Sequence, residues 1–122
     1  MDMNAIYVEM IAGGGSAKSS VYEALDACIS GDNARAQACL LEADGWLDRA
    51  HKAQAEVLQL WAATLSEDTG QPGSSGAGGS ASLDFSSPLL MHAQDLIMTA
   101  MSERALAERI IKLATRLPAA DR

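Results

Sequence analysis

The chain has 122 residues and a formal charge of −7, which leaves room for one domain. Hydrophobic residues make up 48% and aromatic residues 4%. That balance excludes a disordered acidic tail and favours helices rich in Ala and Leu over sheets. The acidic charge argues against a general nucleic-acid or anionic-membrane binder and favours basic partners at long range. Two cysteines, Cys28 and Cys39, cannot build a disulfide scaffold, so free cytosolic thiols are expected. The opening MDMNAIYVEM lacks a basic leader, and no segment reaches the roughly 18 uninterrupted apolar residues of a membrane span. A soluble cytoplasmic protein is expected.

The first predicted helix runs from about Met3 to Ile29, where Ile6, Met10, Ala17, Val21, Ala24 and Cys28 keep 3–4 spacing. Gly13-Gly14-Gly15 interrupts it. Each glycine costs about 1 kcal/mol inside a helix, so three together predict a kink, a break or a loose first turn. The functional alternative is close approach of the backbone to a ligand. Gly31-Asp32 is the expected punctuation between two helices, glycine closing the first and aspartate capping the second.

The second predicted helix, Asn33 to about Leu65, carries Ala36, Leu40, Ala43, Leu47, Ala50, Val57 and Trp61 in alternating steps of four and three, interrupted only by Gln54. Such a stripe implies a coiled-coil-like helix pair. Asp48 and Lys52 are placed for an exposed i,i+4 ion pair. Residues 66–82, SEDTGQPGSSGAGGSAS, hold half of the ten glycines and read as a flexible linker, the connection reaching to about residue 85. The third helix is predicted to begin with Ser87 as cap and Pro88 at its first position, and to end near Leu117-Pro118. Its first half, Leu89 to Met101, is apolar on most sides. Two helices of the same chain cannot cover it, which predicts oligomerisation through this helix.

Within that helix His92, Asp95, Thr99 and Ser102 form one polar stripe, with Gln94 on another side. Taken alone, His and Asp at i,i+3 are a weak signal. On these residues alone a core histidine and an arginine-paired aspartate are preferred to a catalytic or metal site, because a buried carboxylate must be paired or metal-bound.

The words around these residues are more specific. LLMHAQDLIMTAM resembles the active helix of the lactose/cellobiose-type enzyme IIA family of the sugar phosphotransferase system, which typically reads L-L-x-H-A-Q-D-H-L-M-T-A-x. His92, Ala93, Gln94, Asp95, Met98, Thr99 and Ala100 match. Gly15, Ala17, Ser19, Tyr22, Glu23 and Ala24 resemble the family's G-x-A-R-S-x-x-Y-E-A segment. Gly31-Asp32, Leu40-x-Glu42-Ala43-Asp44 and Ala50-His51-x-x-Gln54 follow its second-helix pattern. Leu96 stands where the family has a second histidine, and Lys18 where it usually has arginine.

The resemblance implies an all-α fold, a single domain over residues 1–122: a three-helix antiparallel, up-down-up, spectrin-like subunit assembling as a trimeric nine-helix bundle. It implies that His92 takes a phosphoryl group from the phosphohistidine of the carrier HPr and passes it to a cysteine of enzyme IIB, without a nucleotide, on behalf of a membrane enzyme IIC. The cargo would be a disaccharide of the lactose or cellobiose/chitobiose kind. Asp95 corresponds to the aspartate that meets its symmetry mates at the trimer axis. Three carboxylates about 4 Å apart repel by roughly 4 kcal/mol per pair, so shared protons or a divalent cation, most readily Mg2+, is implied. Gln94 is a candidate for orienting His92 or contacting the phosphoryl group. Lys18 reads either as a phosphoryl contact or, preferably, as a solvated surface lysine, and His51 as structural. Two competing functions are a histidine phosphotransfer domain of a signalling relay and a non-catalytic helical oligomerisation module. Signalling domains usually place Lys then Gly after the histidine, where this chain has Asp95 and Leu96. A buried His92 would favour the module.

Overall fold

A computed structural model describes residues 2–68 and 87–118. Three helices, α1 (Met3–Ile29), α2 (Asn33–Asp68) and α3 (Pro88–Arg116), account for the described fold. They run up, down and up. α1 packs broadly on both partners, while α2 and α3 meet along a narrower seam. No helix among the described residues is long and apolar enough to cross a membrane.

The predicted boundaries follow from local chemistry. Asp2 caps α1, its Oδ1 accepting from the Asn4 amide at 3.0 Å. At the other end Gly31 adopts φ +83°, a left-handed conformation that costs a Cβ-free residue nothing. The Asp32 amide then reaches the Ala27 carbonyl at 2.8 Å and the Gly31 amide the Cys28 carbonyl at 3.0 Å, the paired bonds of a Schellman ending. Asp32 Oδ1 in turn accepts from the Arg35 amide at 3.0 Å, so the punctuation expected of Gly31-Asp32 is present. Ser87 caps α3 with Pro88 in its first turn, as its missing amide donor allows.

The glycine triplet does not break α1, which is continuous from Met3 to Ile29. Gly13 and Gly14 are buried, Gly13 close against α2 and Gly14 close against α3. A Cβ at Gly14 would sit 3.2 Å from Leu96 Cβ. The close approach is therefore to neighbouring helices.

The stripe of α2 points inward: Ala36, Leu40, Ala43, Leu47, Ala50 and Val57 are all buried. Trp61 is partly exposed, because α2 extends past the level of Met3 and Leu60, which flank the end of the core. α2 runs on to Asp68, so residues 66–68 are helical. The remainder of the expected linker, residue 69 to about 85, lies outside the described residues. Asp48 and Lys52 do not pair with each other; Arg49 instead reaches Glu9 of α1 at 3.4 Å. Cys28 and Cys39 are both free.

The core is a column of small clusters. One joins Ile6, Tyr7 and Met10 of α1 to Ala50, Ala53 and Val57 of α2 and Leu90, Ala93 and Ile97 of α3. Another joins Val21, Ala24, Leu40, Ala107 and Ile111 near the α1–α2 turn. Met10, Val21, Val57, Ile97 and Ile111 are the largest fully buried side chains, each worth roughly 1.5–3 kcal/mol of burial.

Candidate phosphoryl-transfer site

α3 was expected to be buried on most sides, yet in a single chain it covers only one. Leu90, Ala93, Ile97, Ala100, Ala107 and Ile111 face the core. Met91, Met98, Leu106 and Leu113 are each more than half exposed, and Ile110 and Leu117 nearly so. With Asp95 and Ser102, which are also exposed, these residues recur every three or four positions along one open stripe. The apolar excess read from the sequence is thus a face without a partner in this chain.

His92 is exposed at the edge of that stripe, one turn before Asp95. The carboxylate of Asp95 has no ion-pair partner among the described residues, so a single chain imposes no burial cost on it. The Asp95 carbonyl accepts from Thr99 Oγ1 at 2.8 Å. Helical spacing puts Gln94 about 200° from His92. Its side chain turns toward α2, where Oε1 accepts from Gln54 Nε2 at 2.6 Å. His92 and Asp95 therefore share a side, and Gln94 is held on another.

Lys18 is not a solvated surface lysine. Its ammonium donates to Glu103 Oε1 at 2.7 Å and Thr99 Oγ1 at 3.0 Å, with the side chain 22% exposed. Glu103 Oε2 is buried without a partner among the described residues. Thr99 lies seven residues past His92, about 10 Å along the helix, so the lysine serves the α1–α3 seam. His51 places Nε2 3.2 Å from Met101 Sδ, facing a groove also lined by Asp44, Arg104 and Glu108.

Two features of the α2–α3 seam escaped the sequence reading. Arg104 makes a two-pronged bond to Asp44, at 2.9 and 3.0 Å, and a further one to Glu108 at 3.2 Å. The hydrogen bond to Asp44 is the main reason its guanidinium is held above its ordinary pKa. Lys112, then Arg104, holds the Glu108 carboxyl below its ordinary value. Gln54, read as a gap in the α2 stripe and as part of the second-helix pattern, is the partner of Gln94. Its polar identity at an apolar position was the signal for such a partner. Toward the α1–α2 turn, Glu23, Cys39 and Glu42 bring ligand-type atoms within 4.8 Å of one another, far along the bundle from His92.

The family model for the lactose/cellobiose-specific IIA subunit of the phosphotransferase system matches residues 5–69, just over half of the chain. A Bacillus subtilis (strain 168) protein described as a lichenan-specific phosphotransferase enzyme IIA component is 32% identical over 116 residues, covering 95% of this chain and 90% of that protein. The chain belongs to the lactose/cellobiose-type IIA family of the phosphotransferase system. Among solved structures, a cellobiose-specific enzyme IIA from Bacillus anthracis is similar at TM-score 0.70 and 28% identity, over 95% of this chain and 91% of that one. PtcA from S. mutans is similar at TM-score 0.66 and 28% identity, over 92% and 93%.

In this IIA chain the family's second histidine is replaced by a packing residue. Leu96 lies over Gly14 of α1 and is half-buried. A leucine offers no proton, so an auxiliary acid–base role at that position is absent here.

Proposed function

We propose that this IIA subunit carries a phosphoryl group on His92, receiving it from phospho-HPr and delivering it to a cysteine of enzyme IIB. A neutral imidazole has one ring nitrogen with a free lone pair, suited to attack phosphorus. In the first step that nitrogen forms a P–N bond as the P–N bond of the donor histidine breaks. In the second, a IIB thiolate forms a P–S bond as the His92 P–N bond breaks. Each step exchanges one bond to phosphorus for another and consumes no nucleotide, so the protein's work is positioning and electrostatics.

The observation that carries this reading is the exposure of His92 on a capped, packed helix. The ring has no hydrogen-bond partner among the described residues and is open to another protein. This accessibility also speaks against the purely structural module, which would bury the histidine. The Asp-Leu pair after the histidine speaks against the signalling domain. The cargo of the system is proposed to be a β-linked disaccharide or a related oligosaccharide, in keeping with the relatives described as lichenan- and cellobiose-specific.

The working unit is proposed to be a homotrimer formed through the open stripe of α3. Three copies of Asp95 would then meet at the axis. Carboxylate oxygens suit a hard divalent cation such as Mg2+, and an Asp95 free of ion-pair partners in its own chain is able to serve as such a ligand. The cation would supply charge neutralisation between subunits.

Incubation with phosphoenolpyruvate, enzyme I and HPr tests the central claim. Label is expected on wild type and absent from His92→Ala. An unlabelled wild type, or a fully labelled His92→Ala, rejects it.

A further inference from the structure

Gln54 occupies a position where the α2 stripe calls for an apolar residue, between buried Ala50 and buried Val57. It is half-buried and donates Nε2–H to Gln94 Oε1 at 2.6 Å. The other side-chain links from α2 to α3 are the Arg104–Asp44 bond and the His51–Met101 contact, both beyond Thr99. In the half of α3 that bears His92, Gln54–Gln94 is the polar link to α2 among the described residues. The rest of that half rests on apolar side chains, Leu90, Ala93 and Ile97.

Apolar packing is non-directional and tolerates small rotations of a helix about its axis. A hydrogen bond between partly buried amides does not, because rotation leaves both groups unpaired away from water. Polar pairs at otherwise apolar seam positions fix register in this way, at some cost in stability. Two helical residues subtend about 200°, so holding Gln94 against α2 turns His92 away from α2 and toward solvent.

We infer that Gln54 is a positioning residue for phosphoryl transfer: by holding Gln94 it sets the rotation of the N-terminal half of α3, and with it the direction in which the His92 imidazole faces its donor. This rests on His92 being the phosphoryl acceptor.

The test compares full-length wild type, Gln54→Leu and Gln54→Glu in single-turnover transfer from phospho-HPr, across donor concentrations, alongside thermal unfolding. Leucine completes the stripe but cannot bond to Gln94. Glutamate keeps the link, since Gln94 can turn its amide over and donate. For Gln54→Leu we expect an unchanged or higher melting temperature, a half-saturating donor concentration near wild type, and a saturated rate lower by about tenfold or more. Gln54→Glu is expected to stay within about twofold of wild type in rate. If Gln54→Leu does not fold, Gln54→Asn takes its place with the same expected rate, being polar but one methylene too short to reach Gln94. A wild-type rate in the unlinked variant, or a Gln54→Glu as slow as that variant, overturns the inference about Gln54 alone. Absence of label from wild type overturns the phosphoryl-carrier reading together with it.

Discussion

A methyl group added at Gly13 would meet Ala50 Cβ and the Trp46 carbonyl oxygen, both at 3.0 Å, and the Ala50 amide nitrogen at 3.1 Å. Two of these are backbone atoms of α2, which cannot yield without moving the helix. At Gly15 the same methyl would meet nothing within 4 Å. Both positions are helical, so alanine gains about 1 kcal/mol of helix propensity at either. Only at Gly13 is there overpacking to offset it, at about 1–3 kcal/mol. Gly15→Ala should therefore stabilise the protein by about 1 kcal/mol, and Gly13→Ala should destabilise it by about 1 kcal/mol net. Urea unfolding at one fixed chain concentration measures both. A Gly13→Ala midpoint at or above that of Gly15→Ala would show that α2 does not lean on α1 through this residue.

Each helix has its own kind of seam, and that decided what could be read from sequence. The α1–α2 pair is mainly apolar, with Arg49–Glu9 at its exposed margin, and is joined by a Gly31-Asp32 turn; its stripe and punctuation were legible because hydrophobic spacing and turn chemistry are local signals. The boundaries of α3 were legible for the same reason, through Ser87 and Pro88. The expectation of a kink, a break or a loose first turn at the glycine triplet rests on propensity, which disfavours glycine; α1 is continuous there, and the gain at Gly13 and Gly14 is tertiary closeness that no local rule contains. The α2–α3 seam was not legible. Asp44–Arg104 and Gln54–Gln94 join residues 60 and 40 positions apart, as Lys18–Glu103 joins α1 to α3 across 85, and nothing in a stretch of sequence says which side chain faces which. At the candidate site, His92 and Asp95 were singled out through their motif, while Gln54 stood as an interruption of the stripe and as part of a motif, with nothing local to name Gln94 as its partner. The charge network at the end of α3 predicts a pH effect. Lys112 and Arg104 lower the Glu108 pKa from its ordinary 4.5. A carboxylate lowered in the folded state contributes stability that is full above its unfolded pKa and is lost as pH falls through the folded one. The melting temperature of wild type should exceed that of Glu108→Gln near neutral pH, by a small margin because the pair is exposed. That margin should vanish as the pH is lowered past the carboxylate range. A margin that grows in acid would reverse the assignment.

For the molecule as a whole, the open stripe of α3 sets the strongest requirement. Met91, Met98, Leu106, Ile110, Leu113 and Leu117 expose an apolar band interrupted by Asp95 and Ser102, and a band of that length marks an interaction surface. Charge is arranged to permit self-association there. Residues 1–65 carry 9 acidic and 4 basic side chains, while residues 83–122 balance 5 against 5, so copies meeting through α3 do not bring the acidic excess together. Asp95 is the exception, a carboxylate set within the band. Brought to about 4 Å at an axis, each pair of such carboxylates repels by roughly 4 kcal/mol unless protons or a cation intervene. Asp95→Leu removes that repulsion and extends the apolar band, so the proposed trimer should be as stable as in wild type or more so in sedimentation velocity. Chelation supplies the second arm. If a divalent cation neutralises the three carboxylates, EDTA should shift wild type toward smaller species or a lower melting temperature and leave Asp95→Leu unmoved. If the carboxylates share protons, EDTA should move neither, and raising the pH should loosen wild type alone, because ionising the cluster restores its repulsion. A monomeric Asp95→Leu would overturn the axial placement of Asp95 under either arrangement, since losing a repulsive group cannot by itself dissolve an apolar interface.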